Sequence, residues 1–222
     1  MWMIAGMTTS SLLQELAEAW DLRTKVMLTI DALLHLPLCR LGEVETRAPG
    51  LYAHYYRGPL ALYEVAMGWP LYFGSAKDLR ERSRRYVRQL LPVHEIDVDD
   101  IRVAVIPLPT YAAALCAERA AIDLMAPVWG QSWLAGYGSK HYGRNRTRQT
   151  PPPWCVVHPG RPVGDGVVPV DRATLERMIV DHLRATVPPG AGDLRRDLLS
   201  RGAAGSGPGA AGQALALFPS WA

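Results

Sequence analysis

Two tyrosines twenty residues apart, each close to a glycine, are the first side chains of this 222-residue chain with the types and setting for chemistry. Tyr52 sits in GLYAHYY and Tyr72 in PLYFG, both runs of β-forming residues. Alternation along the first run places Leu51, Ala53 and Tyr55 on one face and Tyr52, His54 and Tyr56 on the other. One face can then pack a core while the other offers phenols to a ligand. Arg82 follows in a run that holds Arg80, Arg82, Arg84, Arg85 and Arg88 within nine residues, and Glu118 is a lone acid among apolar neighbours further on. A guanidinium fork matches phosphate oxygens and a lone carboxylate suits a hard cation, so with the phenols these residues point to phosphodiester chemistry.

Each residue also has a plainer reading. Tyr111, Leu115, Glu118 and Ile122 recur at helical spacing, with Ala114, Ala121 and Met125 flanking, which puts the acid on the stripe that should face a sheet. A buried carboxylate needs an arginine, a hydrogen-bond network or a metal. A structural ion pair, to Arg82 or near Arg119, is the alternative to a metal. Arg82 lies three residues after Leu79 and four before Tyr86, at the edge of an apolar face; a surface arginine with its stem laid along that face would look the same. Tyrosines taken singly are commonly half-buried packing residues. A second cationic segment, Lys140, Arg144, Arg146 and Arg148, follows the acid. Two dense basic segments in a chain of net charge +3 imply a local polyanion site, with solvated helix and loop faces as the alternative.

Positioning these groups needs a sheet with helices around it. The run 8–10 offers N-caps for a helix through SLLQELAEAWDL, with Leu12, Leu13, Leu16 and Trp20 at helical spacing, and a second helix is expected over 24–35. Strands at 50–56 and near 72 are joined by a connection broken by Gly58-Pro59 and Gly68. A helix over 77–91, a third strand over 101–108, a helix over 110–125 and a last helix over 170–187, capped by Asp171, complete the reading.

The composition, 49% hydrophobic and 20% charged, is that of one main globular domain with appendages. The divisions expected are helical residues 1–45, a core at 46–130, a basic loop and helix at 131–187, and a Gly/Ala/Pro-rich tail at 188–222 expected to lack order. Cys39, Cys116 and Cys155 form no CxxC pair, which favours a reducing compartment; Cys155, His158 and His141 leave a zinc site conceivable. The start MWMIAGMTTS lacks a basic leader region and no apolar run reaches spanning length, so a cytoplasmic protein is expected.

Gly-Leu-Tyr, then Tyr-Phe-Gly, then an arginine and a glutamate on successive helices resembles the GIY-YIG nucleases. Within residues 130–161, GYGSKHYGRNRTRQTPPPWCVVHPGR is similar to the Gly-aromatic-Gly loop, basic stretch and Trp…His-Pro-Gly-Arg ending of a type II restriction branch that cuts CCGCGG. The resemblance covers residues 45–165. It implies an α+β fold with a small, mostly antiparallel three-stranded sheet flanked by helices. It implies a restriction endonuclease that leaves 5′-phosphate and 3′-hydroxyl ends. Tyr52 and Tyr72 would activate and position the nucleophilic water, Arg82 would stabilise charge on the phosphate, and Glu118 would hold one Mg²⁺ or Mn²⁺ ion. A phenol serves as a base near neutrality only if a cation lowers its pKa, a role expected of Arg82 and the metal. Tyr86 stands where the branch usually has histidine, Ser139 where the family has asparagine, and Ser75 where many relatives have lysine; Asn145 is a second candidate for the asparagine's role. Base reading is expected from the loop at 136–148, with Lys140, His141, Arg144, Asn145, Arg146 and Arg148. Arg144, Arg146 and Arg148 suit guanine edges, with phosphate contact as the alternative. Arg84, Arg85, Arg88 and Arg161 are further candidates for DNA contact. Double-stranded DNA, a homodimer matched to a palindrome and a companion DNA methyltransferase are the implied partners. Two other readings are a DNA-binding descendant that no longer cuts and a nuclease that reads DNA structure; the His-Pro-Gly-Arg match counts against the latter.

Overall fold

A computed structural model describes residues 9–138, 150–164, 166–189 and 191. Four strands, β1 (Cys39–Arg40), β2 (Gly50–Tyr56), β3 (Tyr72–Ala76) and β4 (Ile101–Pro107), form one antiparallel sheet in the order β1-β4-β2-β3. The expected sheet had three strands. The fourth is the two-residue β1, which pairs Cys39 with Val103 and Arg40 with Arg102 and is too short to show a period in sequence.

Five helices accompany the sheet: α1 (Thr9–His35), α2 (Leu79–Leu90), α3 (Tyr111–Met125), α4 (Pro153–Val157) and α5 (Arg172–Thr186). The first is continuous where two helices were expected, because nothing around Leu22-Arg23-Thr24 breaks it. The side chains of residues 9–20, including the expected stripe Leu12, Leu13, Leu16 and Trp20, lie outside the described set. Asp78, Thr110 and Asp171 cap α2, α3 and α5 by accepting bonds from the N–H groups of Glu81, Ala113 and Thr174. No helix among the described residues is long and apolar enough to cross a membrane.

Alternation on β2 sorts the core into two layers. Leu51, Ala53 and Tyr55, with Phe73, Ala104 and Ile106, pack under Ile30 and Leu33 of α1 and Ala117, Ala121 and Met125 of α3. Tyr52 and Tyr56 face the opposite layer, with Leu79, Tyr86 and Leu90 of α2, Trp129, Trp154 and the α5 residues Leu175, Ile179 and Leu183. The strand is thus buried on both faces, not open on one as the alternation alone allowed. A one-residue slip of β2 would exchange the two sets, so the register is firmly specified.

Candidate active site

The β2–β3 register sets Tyr52 opposite Gly74 and His54 opposite Tyr72. Both tyrosines therefore project toward α2, which delivers Arg82 and Tyr86 one turn apart. The Tyr86 hydroxyl lies 3.2 Å from that of Tyr52, and Tyr72 and Arg82 approach the same hydroxyl. Ring centroids of the three tyrosines are 5.9–6.2 Å apart. Tyr52, His54, Arg82 and Tyr86 line a narrow cleft between sheet and helix, with Leu79 and Ser83 at its wall.

Glycines make this packing possible. A Cβ on Gly74 would lie 2.2 Å from the Tyr52 hydroxyl, and one on Gly138 would lie 2.0 Å from that of Tyr72. Each signature tyrosine thus lays its hydroxyl against a residue with no side chain.

Glu118 comes from the other side. The buried stripe of α3 is Ala114, Ala117, Ala121 and Met125, while Leu115 is exposed and Glu118 half-buried at the border. The expected phase is thus rotated by about one residue. The helix lies on the Phe73 face of the sheet, and β3 is an edge strand. Glu118 meets Ser75 there, whose hydroxyl donates to Oε2 at 2.5 Å, and its negative field reaches the hydroxyls of Tyr52 and Tyr72 across the edge. Among the described residues no cation lies within ion-pair distance of it, and Arg119 pairs with Asp123 instead. The ion pair weighed as the alternative for Glu118 is therefore absent from the described residues.

Charge in the cleft follows burial. The phenols of Tyr52, Tyr72 and Tyr86 are held well above the ordinary tyrosine value because burial disfavours phenolate, with Arg82 pulling only weakly the other way. Arg82 alone does not offset that burial, so with no cation bound beside them these hydroxyls are neutral hydrogen-bonding groups. Burial opposes the charge of Arg82 as well, but Tyr52, Tyr86 and Tyr72 outweigh it and the guanidinium stays protonated. His54 is fully buried, with its pKa pushed down to about 3 by burial and by Arg82, and shares a 2.6 Å hydrogen bond between Nδ1 and the Tyr137 hydroxyl. Tyr137 stacks on Tyr86 at 5.3 Å.

The remaining candidates divide. Arg84, Arg85 and Arg88 occupy the exposed side of α2, where Arg84 faces Glu45 at 3.9 Å and Arg85 pairs with Glu81 at 3.1 Å. Ser139, Lys140, His141, Arg144, Asn145, Arg146 and Arg148 lie outside the described residues. Arg161 is not available to DNA in this fold. It is 6% exposed, donates to the carbonyls of Gln89, Gly136 and Tyr137, and lies 4.2 Å from the Trp154 ring. His158 Nε2 is engaged by the Tyr63 hydroxyl at 2.5 Å, away from any metal role with Cys155. Sequence reasoning missed His54 and Tyr137 as members of the cluster. Their available signals were the alternation that put His54 beside Tyr52 and the Gly-aromatic-Gly pattern around Tyr137.

A single carboxylate with one hydroxyl partner fits a hard divalent cation that keeps most of its waters. Among the described residues no cluster of three His, Cys, Asp or Glu side chains forms a fuller cage. No characterised protein matches the chain. The family profile of the Eco29kI GIY-YIG domain matches residues 72–183, just over half of the chain. That span holds Tyr72, Arg82, Tyr86, Glu118 and the His-Pro-Gly-Arg segment, while Tyr52 is brought to them by the β2–β3 pairing. The chain belongs to the Eco29kI GIY-YIG domain family, a family of restriction-type nucleases.

Proposed function

We propose that the protein is a metal-dependent, sequence-specific double-strand DNA endonuclease of the type II restriction kind, acting at a GC-only palindrome. The observation that carries this reading is the convergence of Tyr52, Tyr72 and Arg82 on the Tyr86 hydroxyl, with a half-buried Glu118 nearby that has no cationic partner among the described residues. In this reading Tyr52 and Tyr72 position the attacking water, a phenol whose pKa Arg82 and a bound cation would lower takes the proton the water gives up, and Tyr86 fixes their spacing. Arg82 binds the scissile phosphate and offsets the charge that grows on it. Ser139, beyond Gly138, supplies a further donor. Glu118 would hold one Mg²⁺ or Mn²⁺ ion, which when bound neutralises phosphate charge and activates the leaving oxygen. The products carry 5′-phosphate and 3′-hydroxyl ends.

DNA would be engaged by the basic loop with Lys140, His141, Arg144, Asn145, Arg146 and Arg148, with a homodimer matching the palindrome's symmetry. Such an enzyme works in the cytoplasm with access to the nucleoid, beside a DNA methyltransferase that protects the host's own sites. The near-complete burial of Tyr52 and Tyr86, 2% and 1% exposed, favours a second reading, a DNA-binding protein with little or no cleavage. Incubation with plasmid DNA and Mg²⁺, followed by mapping of the ends, separates the two. Discrete fragments ending at one palindrome support the nuclease; retarded but intact DNA supports the binding protein.

A further inference from the structure

The His-Pro-Gly-Arg segment ends in a buried cation whose contacts lead back to the tyrosine cluster. Arg161 Nε donates to Gln89 O at 2.9 Å, one of the carbonyls left open at the C-terminal end of α2. Its Nη1 donates to Gly136 O at 3.0 Å and Tyr137 O at 3.3 Å. One planar fork therefore joins the helix that carries Tyr86 to the loop that carries Tyr137, and those two rings stack. The Tyr137 hydroxyl bonds His54, and His54 packs edge-on against Tyr86 at 4.6 Å and beside Tyr52 at 5.0 Å. The next residue, Gly138, is the surface on which the Tyr72 hydroxyl rests. Among the described residues no carboxylate pairs with Arg161. Three carbonyls, the Trp154 face and the neighbouring Cys155 thiol compensate its charge, and among the described residues its Nη2 has no hydrogen-bond partner. Burying a cation without a paired anion costs free energy, which the joining of helix and loop by its fork must offset.

We propose that Arg161 is a positioning residue for cleavage, acting through Tyr137 and His54 on the placement of Tyr52, Tyr72 and Tyr86, and not a DNA contact. This rests on the nuclease reading above.

The test compares single-turnover cleavage and metal-free DNA binding for Arg161→Lys, Tyr137→Phe and the double variant. A lysine keeps the charge but cannot reach helix and loop together. Arg161→Lys should bind DNA as the wild type does and cut on the order of 10²-fold more slowly, the scale of a small misplacement of reacting groups. Tyr137→Phe, which loses only the hydroxyl, should cut roughly tenfold more slowly. The double variant should be no slower than Arg161→Lys alone, because both lie on one route. Weakened DNA binding with unchanged cutting in Arg161→Lys, or losses that multiply in the double variant, would overturn the proposal. If Arg161→Lys does not fold, wild-type cutting rates in Tyr137→Phe overturn it alone. Nitrogen NMR of the His54 imidazole without DNA keeps the two readings apart: the Tyr137-bonded signal should be altered in Arg161→Lys even if the wild type proves unable to cut. An unchanged signal sinks the positioning route, whereas a wild type that never cuts sinks the nuclease reading.

Discussion

Glu118 is a carboxylate at the border of a buried helix stripe whose one hydrogen-bond partner among the described residues is a serine hydroxyl. A charge placed so is a burden on the fold unless something absent from the chain compensates it. This yields a prediction that separates a metal ligand from a structural acid. Glu118→Gln should reduce cleavage by on the order of 10³-fold or more, the loss of several kcal/mol of charge stabilisation, with DNA binding retained. Its thermal midpoint, measured without metal, should stay level or rise. A lower midpoint would mark Glu118 as a structural partner, and full cleavage would remove it from the mechanism. Ser75 supplies the orienting bond, so Ser75→Ala should raise the Mg²⁺ concentration for half-maximal cleavage about 10- to 100-fold, the usual cost of losing an outer-shell partner. A rate titration against Mg²⁺ reads this directly, and an unshifted midpoint would show that the serine does not tune the site. The phenols differ: with no cation bound, burial holds both well above the ordinary tyrosine value.

At the level of elements, Gly74, Gly138 and Gly160 decide where side chains and loops can go. A Cβ on Gly160, whose φ is 123°, would lie 1.9 Å from the Pro92 carbonyl oxygen. Gly160→Ala should therefore destabilise the fold by about 3 kcal/mol or more, from left-handed strain and a backbone clash together. Gly74→Ala strikes the Tyr52 side chain instead, and no backbone atom. It should cost about 1–3 kcal/mol and suppress cleavage out of proportion to that loss. Urea denaturation beside a cleavage assay checks the ordering, and equal stability losses would contradict it. The sequence showed these glycines as letters of a motif but not their purpose, because a hydroxyl resting on a bare backbone depends on strand register and on a loop that brings up Gly138, 66 residues beyond Tyr72. Capped and punctuated helices were legible: α2, α3 and α5 start and stop within two residues of the expectation. The continuous α1, the two-residue β1 and the rotated face of α3 were not, since alanine-rich periodicity tolerates a one-residue change of phase and a two-residue strand has no period. Residue type alone points Arg161 at DNA; burial of a guanidinium by carbonyls and a tryptophan is a tertiary fact that no local pattern carries.

For the whole molecule, both described histidines at the heart of the core carry pKa values pushed down to about 3, so acid should unfold it through them. His158 is buried beneath Trp154, with Arg172 and Arg161 adding to the effect of burial. Trp129 donates to the Tyr63 hydroxyl, and that hydroxyl's own proton can go to His158 Nε2 when the imidazole is neutral. His54 is in the same state, ringed by Tyr52, Tyr72, Tyr86 and Tyr137 and facing Arg82. The unfolded chain takes up a proton at each as pH falls through about 6.5, whereas the folded chain does so only near 3. The stability these groups confer is therefore complete above the unfolded value and is lost as pH falls between those limits. Each contributes a slope of about 1.4 kcal/mol per pH unit across the window. Carboxylates titrate in the same range, so a single curve does not isolate the effect, but a difference curve does. His158→Gln should be less stable than the wild type at pH 8, where the broken bond to Tyr63 dominates. The gap should then narrow by about 1.4 kcal/mol per pH unit from pH 6 to pH 4, because only the wild type still has a neutral imidazole to lose. Urea unfolding of both proteins at four or five pH values supplies the curve. A gap that stays constant to pH 4 would mean that His158 charges readily in the folded state and that the core around Tyr63, Trp129 and Trp154 opens to admit it.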